Sequence, residues 1–348
     1  MNNKLLLIVK KISLIWKIPL IYILLMYIIF PFFKFFIVDL GIFNFLMIKS
    51  GRPINFDFFQ IDINKFGIYD IVFQISLIFI ILIFAFVVDR FSLKDLGVSF
   101  NIQSVLKFLA GFLIGGVLIV VCWGILILCS AVEIKGLYWE VNPYLEPIKS
   151  YIIYQSIILL LAAFQEELVC RAYLINNFSQ SANFIISKIR KTIINLGYFK
   201  KKPHLFKIYL SIIPAAIIFS FLHFWNVIEK DYNFYIGILN IFIAGIIYGY
   251  YYYMTADLMG AIGVHFGWNF FMGPILGFSI SGVSDGKSIM EIALNDKLKI
   301  INGGDFGPEG GVVVTVLFII ILITLVFGMN GSGSKHSRNN CKLKAMEN

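Results

Sequence analysis

The sequence LLLAAFQEELVCRAYLIN, residues 159–176, places two adjacent glutamates and one arginine inside an otherwise apolar run. An ionisable side chain at the centre of a membrane helix costs about 3 kcal/mol and persists mainly where it has a function. Glu167 and Arg171 are four residues apart, so they share a helix face and can form an ion pair. Glu166 points about 100° away from Glu167 and can face a different partner.

The composition of the whole chain is that of a membrane protein. Apolar residues make up 59% of its 348 residues, charged residues make up 14%, and the mean hydropathy is +0.86, values that exclude an ordinary soluble domain. The apolar residues stand in long runs and do not alternate with polar ones, which disfavours an outer-membrane barrel. The sequence therefore predicts an all-α fold, a polytopic transmembrane helical bundle.

The apolar runs predict about eight spans in one membrane domain. A spanning helix needs about 20 mostly apolar residues. The runs that meet this criterion are residues 19–38, 68–88, 105–131, 151–175, 211–227, 234–253, 258–278 and 312–327. We divide the chain into an N-terminal two-span segment (1–90), a core (91–327) and a basic tail (328–348).

Lysine and arginine between the spans predict the orientation, because positive charge is retained on the cytoplasmic side. With eight spans, four basic clusters fall on one side. They are Lys4 to Lys17, Arg90 with Lys94, Lys188 to Lys202, and Lys335 to Lys344. We therefore predict a multi-pass protein of the cell membrane with both termini in the cytoplasm. The first apolar run is too long for a cleavable signal peptide and is followed by no small-residue cleavage site.

Two further apolar runs carry polar side chains. His223 lies in IIFSFLHFWN (217–226), and His265 and Asn269 lie in GAIGVHFGWNF (260–270). His265 and Asn269 are one helical turn apart, so both can donate hydrogen bonds to an oxyanion on the same side. We place the start of the fifth span at Ser211, because a later start puts His223 further from the membrane surface. These residues predict a shared polar site among the fourth, fifth and seventh spans.

The same residues, in the order Glu-Glu-x-x-x-Arg, Phe-x-x-x-His and His-x-x-x-Asn, resemble the CPBP family (CAAX protease and bacteriocin-processing), which includes the type II CAAX prenyl endopeptidase. The matching positions are Glu166, Glu167, Arg171, Phe219, His223, His265 and Asn269. FSLKDLGVSF (91–100) and, more loosely, INGGDFGPEGG (301–311) are also similar to bacterial members. The resemblance covers residues 91–327.

The resemblance implies an intramembrane endopeptidase. It implies that Glu166 and His223 activate a water molecule for attack on a peptide carbonyl, while His265 and Asn269 stabilise the oxyanion. Glu167 and Arg171 would then be supporting residues, although the residues alone leave a purely structural ion pair open. Phe219, one of 36 phenylalanines, is expected to be a packing residue.

We expect no cofactor, but zinc stays open. Two histidines and a glutamate are also a set that binds zinc. The chain has no His-Glu-x-x-His sequence and no Cys-x-x-Cys spacing. The resemblance implies a glutamate mechanism without a metal.

The expected partners are a membrane peptide or protein substrate and the lipid bilayer. Nucleic-acid binding is disfavoured, because the basic residues that give the chain its net charge of +9 lie in loops beside the spans. The Ile- and Lys-rich sequence is typical of bacterial members, so a peptide pheromone, a bacteriocin precursor or another membrane protein is a better substrate hypothesis than a prenylated one. Two other functions remain: a non-enzymatic bacteriocin self-immunity or scaffold protein, and a transporter with a buried ion path. The sequence does not predict an oligomeric state.

Overall fold

The structure is a computed structural model that describes residues 68–141, 148–182, 186, 203–226, 231–284 and 287–331. The predicted first span, residues 19–38, lies outside the described residues, and so does most of the basic tail. The span count of eight and the three-part division of the chain stay predictions.

Within the described residues the fold is an all-α bundle with one small β-ribbon. The long helices are α1 (Ile68–Ile83), α2 (Ile102–Leu128), α3 (Lys149–Ala182), α4 (Pro203–Leu222), α5 (Tyr232–Thr255), α6 (Leu258–Phe270) and α7 (Val312–Gly331). Each coincides with one predicted span, which confirms the all-helical class.

Three of these helices, α2, α3 and α5, are long and apolar enough to cross a membrane; α1, α4 and α7 contain shorter apolar stretches. The outward side of α2 carries exposed apolar side chains such as Leu113 and Val117. A contiguous exposed apolar surface of this kind is what lipid tails cover. These helices are those of a membrane protein.

The predicted start of the fifth span at Ser211 is wrong. Helix α4 begins eight residues earlier, at Pro203. Proline is favoured in the first turn of a helix, because a backbone N–H at that position would have no intrahelical acceptor. The Ser211 hydroxyl donates to the Lys207 carbonyl inside the helix. The helix ends at Leu222, so His223 lies in the short 3₁₀ turn beyond it.

Helices α2 and α6 form the most extensive contact in the bundle, through glycines on both sides. Gly111 and Gly115 on α2 face Gly263 and Gly267 on α6, and a Cβ at any of them would overlap backbone atoms of the facing helix. Small residues four apart let membrane helices approach to backbone contact. This contact fixes α6, and therefore His265, against α2.

Replacing Gly115 with alanine is expected to destabilise the protein by about 1–3 kcal/mol, the usual cost of overpacking a close interface. Its added methyl group would overlap the Val264 carbonyl oxygen. Gly124→Ala is the matched control on the same helix, because nothing lies within 4 Å of a Cβ there. Thermal unfolding in detergent measures both variants, and equal unfolding temperatures would contradict this packing.

The ribbon, which the sequence did not predict, pairs β1 (Val132–Leu137) with β2 (Met290–Leu294) in antiparallel register. A bulge between Ile134 and Gly136 interrupts the register. The predicted third span ran to residue 131, but α2 stops at Leu128 and β1 follows within four residues. The ribbon lies at the end of the bundle where α2 ends and α3 begins.

Candidate active site

Helices α3, α4 and α6 bring the predicted polar residues together. Glu166 and Glu167 lie in the middle of α3, at the point where its α-helical turns pass into a π-helical stretch, Leu168–Ile175. A π-stretch changes the direction in which successive side chains point and is frequent at functional sites. It follows the two glutamates directly and contains Arg171.

Glu167 is the centre of the buried polar cluster. Its side chain has no exposed surface, its Oε2 lies 3.0 Å from Arg171 Nε, and its Oε1 lies 2.9 Å from His265 Nδ1. The predicted pairing of Glu167 with Arg171 is present. The hydrogen bond to His265 was not predicted, because it depends on how α6 packs against α3.

Arg171 is held between aromatic rings as well as beside Glu167. The centre of its guanidinium lies 4.1 Å from the centroid of the Phe219 ring and 5.2 Å from that of Tyr248. Cations over ring faces are attracted by the negative potential of the ring, more strongly when water is absent. Phe219 therefore does more than fill space, since it also stabilises the buried cation.

Glu166 faces the other way, toward the two imidazoles. Its Oε2 lies 3.7 Å from His223 Nε2 and 3.9 Å from His265 Nε2. Both distances exceed that of a direct hydrogen bond. Within the described residues this buried oxygen has no hydrogen-bond partner. The three atoms surround a space that a small polar molecule can occupy.

The hydrogen bond of His223 determines which of its ring nitrogens is available. Its Nδ1 lies 2.9 Å from the Phe219 carbonyl oxygen. A carbonyl only accepts, so Nδ1 carries the proton, and in the neutral ring Nε2 presents a lone pair. That lone pair lies on the side of Glu166.

His265 is oriented in the same manner by a carboxylate. An ionised carboxylate accepts hydrogen bonds, so Nδ1 of His265 donates to Glu167 and its Nε2 is directed at the space beside Glu166. When the ring is protonated, Nε2 becomes a second donor. Asn269, one turn further along α6, lines the cavity next to this space and is 9% exposed.

The site opens into a cavity of about 840 Å³. This volume falls in the range of cavities that take sizeable ligands. Its wall includes parts of α1, α3, α6, the loop after α6 and strand β2. Besides the four predicted residues the lining contains Asp70, Gln74, Tyr151, Tyr154, Gln155, Asn226, Ser281, Lys287 and Glu291.

Glu309 is a buried carboxylate beside the site that the prediction did not include. It accepts hydrogen bonds from Trp268 Nε1 at 3.1 Å and from the backbone N–H and hydroxyl of Ser281 at 3.1 and 2.7 Å. Trp268 precedes Asn269 on α6, and Ser281 lines the cavity. Glu309 lies in the stretch 301–311, which is similar to bacterial members of the family, but the spacing of residues in this stretch does not indicate which side chains bind Glu309.

Glu166, His223 and His265 are donor types that bind zinc, and their atoms lie a few tenths of an ångström further apart than the ligand atoms around a bound zinc ion. Ligand atoms around a tetrahedral zinc ion with bonds near 2.1 Å lie about 3.4 Å apart. The separations here are 3.7 and 3.9 Å. In the part of the chain that the structure describes, no group of three or more His, Cys, Asp or Glu side chains is placed to hold a metal ion.

Comparison with known proteins gives one family match for this part of the chain. Residues 149–271 match the family model described as Rce1-like, type II CAAX prenyl endopeptidase Rce1-like. The match contains the polar residues on α3 and α6 and His223 after α4, and it ends before the ribbon strand β2. The comparisons with curated proteins and with solved structures give no match. Residues 149–271 are thus an Rce1-like domain, of the CPBP family of membrane proteases.

Proposed function

We propose that this protein is an intramembrane endopeptidase that hydrolyses a peptide bond in a membrane-associated substrate. The observation that supports it most is the placement of Glu166 Oε2 opposite the Nε2 atoms of His223 and His265, at the wall of a cavity large enough for a peptide segment. A carboxylate and two imidazoles that converge on one open point can hold and polarise a water molecule.

Glu166 and His223 are the residues that activate the water. A water between them donates one hydrogen to the Glu166 carboxylate and the other to the Nε2 lone pair of His223. Both hydrogens are then engaged, so an oxygen lone pair is free to attack. As the oxygen bonds to the substrate carbonyl carbon, Glu166 takes the proton.

His265 and Asn269 stabilise the oxyanion. A protonated His265 keeps Nδ1–H on Glu167 and offers Nε2–H to the oxyanion, and the Asn269 amide offers a second donor from the same helix face. Glu167 supports the positive charge on His265 while Arg171 balances Glu167. With His265 protonated, two carboxylates and two cations make the buried cluster neutral.

The reaction closes when the proton held by Glu166 passes to the departing amine. The carbon–nitrogen bond breaks, the new carboxyl product keeps the oxygen from water, and Glu166 returns to its ionised form. No step requires a metal or another cofactor. Glu167 and Arg171 position His265 and do not touch the substrate in this scheme.

The protein acts in the cell membrane in this proposal, as a multi-pass protein with cytoplasmic termini. With that orientation α3 runs from the outer side inward, so the ribbon at its start lies on the outer side. The substrate is a membrane peptide or protein. A bacteriocin-immunity or scaffold role would need no intact Glu166.

The test is cleavage of a fluorogenic membrane-peptide library by the purified protein in detergent, with and without a strong chelator. We expect the wild type to cut, with the chelator leaving the rate unchanged, because the proposed water is held by side chains alone. His223→Ala is expected to lose about 100-fold or more in rate.

If a chelator inactivated the enzyme and zinc restored its activity, the metal-free mechanism would be contradicted, but the proposed hydrolase activity would not. A His223→Ala variant as active as the wild type would contradict the assigned water site. Ion flux in proteoliposomes without any cleavage would support a transporter.

A further inference from the structure

Strand β2 presents its edge to the active-site cavity. Glu291 and Ile292, which are neighbours on this strand, both line the cavity that holds Glu166, whereas no residue of β1 does. Successive side chains of a strand point to opposite faces. Two neighbours can line one cavity only when the strand borders it along its edge. Because β1 occupies one edge of β2, the edge at the cavity is the other one.

The ladder register shows which backbone groups point outward. The Asn295 N–H donates to the Ala131 carbonyl at 3.0 Å, immediately beyond the last pair of the ribbon. This bond places Leu294 at a non-hydrogen-bonded pair, whose own N–H and C=O point away from the partner strand. The alternation repeats every two residues, so the N–H and C=O of Ile292 also point outward, toward the cavity.

On this edge a carbonyl of Met290 is already bonded, whereas the groups of Ile292 have no partner among the described residues. The outward carbonyl of Met290 already accepts a bond from the Ser288 hydroxyl at 2.6 Å. For Ile292, the structure gives no hydrogen-bond partner on that edge in the residues that it describes. Ile292 is half-buried. A strand edge with unpaired groups is a template on which an extended chain can pair.

We propose that the substrate peptide binds as a third strand on β2, with the backbone of one substrate residue paired with Ile292 and the chain continuing across the cavity to Glu166. This inference rests on the proposed peptidase function. It names the substrate class: a peptide segment that is extended, or that unwinds from a helix, next to the bond that is cut.

An extended substrate also agrees with the chemistry. In a helix each carbonyl already accepts a hydrogen bond and is screened by the turns around it. In a strand alternate carbonyls point to the side that is not paired, where water and oxyanion donors can reach them. Main-chain pairing supplies affinity that depends little on sequence, and side-chain pockets along the cavity supply the selectivity.

The experiment measures binding of a short fluorescein-labelled peptide, selected from the library by its affinity for the Glu166→Gln protein. Ile292→Pro removes the outward N–H without removing a bond of the β1–β2 ladder. Ile292→Val keeps the N–H and the β-branched shape and is the matched control. We expect Ile292→Pro to weaken binding about tenfold and Ile292→Val to bind as Glu166→Gln alone does.

A scan of the peptide by N-methylation tests the same pairing without changing the protein. Strand addition predicts that methylation weakens binding at the residue that pairs with Ile292 and not at the residues on either side of it. Equal effects at neighbouring positions, or equal binding by the two Ile292 variants, would overturn strand addition. A wild type that binds with this dependence on position but never cleaves would overturn the peptidase proposal alone.

Discussion

Glu166→Gln is expected to lower the cleavage rate by about 1,000-fold, in the middle of the range for a general base. The amide keeps the size of the side chain but cannot take the proton from the attacking water. Its partners His223 and His265, at 3.7 and 3.9 Å, remain in place. The loss should fall on kcat, because the rest of the cavity still binds the peptide.

The control for this variant is Glu133→Gln. It also removes one carboxylate, but from an exposed residue on β1 that pairs only with Lys135 among the described residues. Its cleavage rate should equal that of the wild type. Retention of full activity by Glu166→Gln, with thermal unfolding unchanged, would show that the general base lies elsewhere.

Arg171→Met is expected to destabilise the protein by about 3–5 kcal/mol, the cost of leaving one member of a buried ion pair behind. Glu167 has no exposed surface, and Arg171 has only 1%. Without the guanidinium, the carboxylate keeps one described partner, His265, and the Phe219 ring loses the cation that it covers. The loss of stability is measured by unfolding both proteins in detergent, either with heat or with a denaturant.

The double variant Glu167→Gln/Arg171→Met separates charge from packing. Both buried charges are then absent, so we expect it to recover part of the stability that Arg171→Met loses. Activity should stay low, because His265 has lost the carboxylate that supports its protonated form. An Arg171→Met protein as stable as the wild type would contradict the importance of the ion pair.

The sequence was sufficient to predict that Glu166, His223, His265 and Asn269 lie close together, since all four line one cavity. A charged or imidazole side chain stands out in an apolar run, and spacing along one helix places Glu167 with Arg171 and His265 with Asn269. The bond between Glu167 and His265 could not be predicted, because the two residues are 98 positions apart in sequence and meet only through the packing of α6 against α3. Glu309 was missed for the same reason, since its donors Trp268 and Ser281 come from other segments.

The elements of the fold were predicted better than their ends. Long apolar runs predict membrane helices because the requirement for length is strict. The start of α4 was misplaced because Ser211 was chosen to bring His223 inward, whereas the Ser211 hydroxyl bonds within a helix that has already begun. The ribbon was missed because two strands of six and five residues, 153 positions apart between their nearest ends, give no local signal of pairing.

Cleavage of a membrane peptide in water labelled with heavy oxygen tests the central claim most directly. Purified wild type and Glu166→Gln are incubated with the peptide from the library that is cleaved fastest, and the masses of the products are measured by mass spectrometry. The mechanism predicts a product whose new carboxyl group carries one labelled oxygen, formed by the wild type and about 1,000-fold more slowly by the variant. Labelled product formed equally fast by both proteins would contradict the role of Glu166, and no cleavage by the wild type of any peptide in the library would contradict the proposed peptidase.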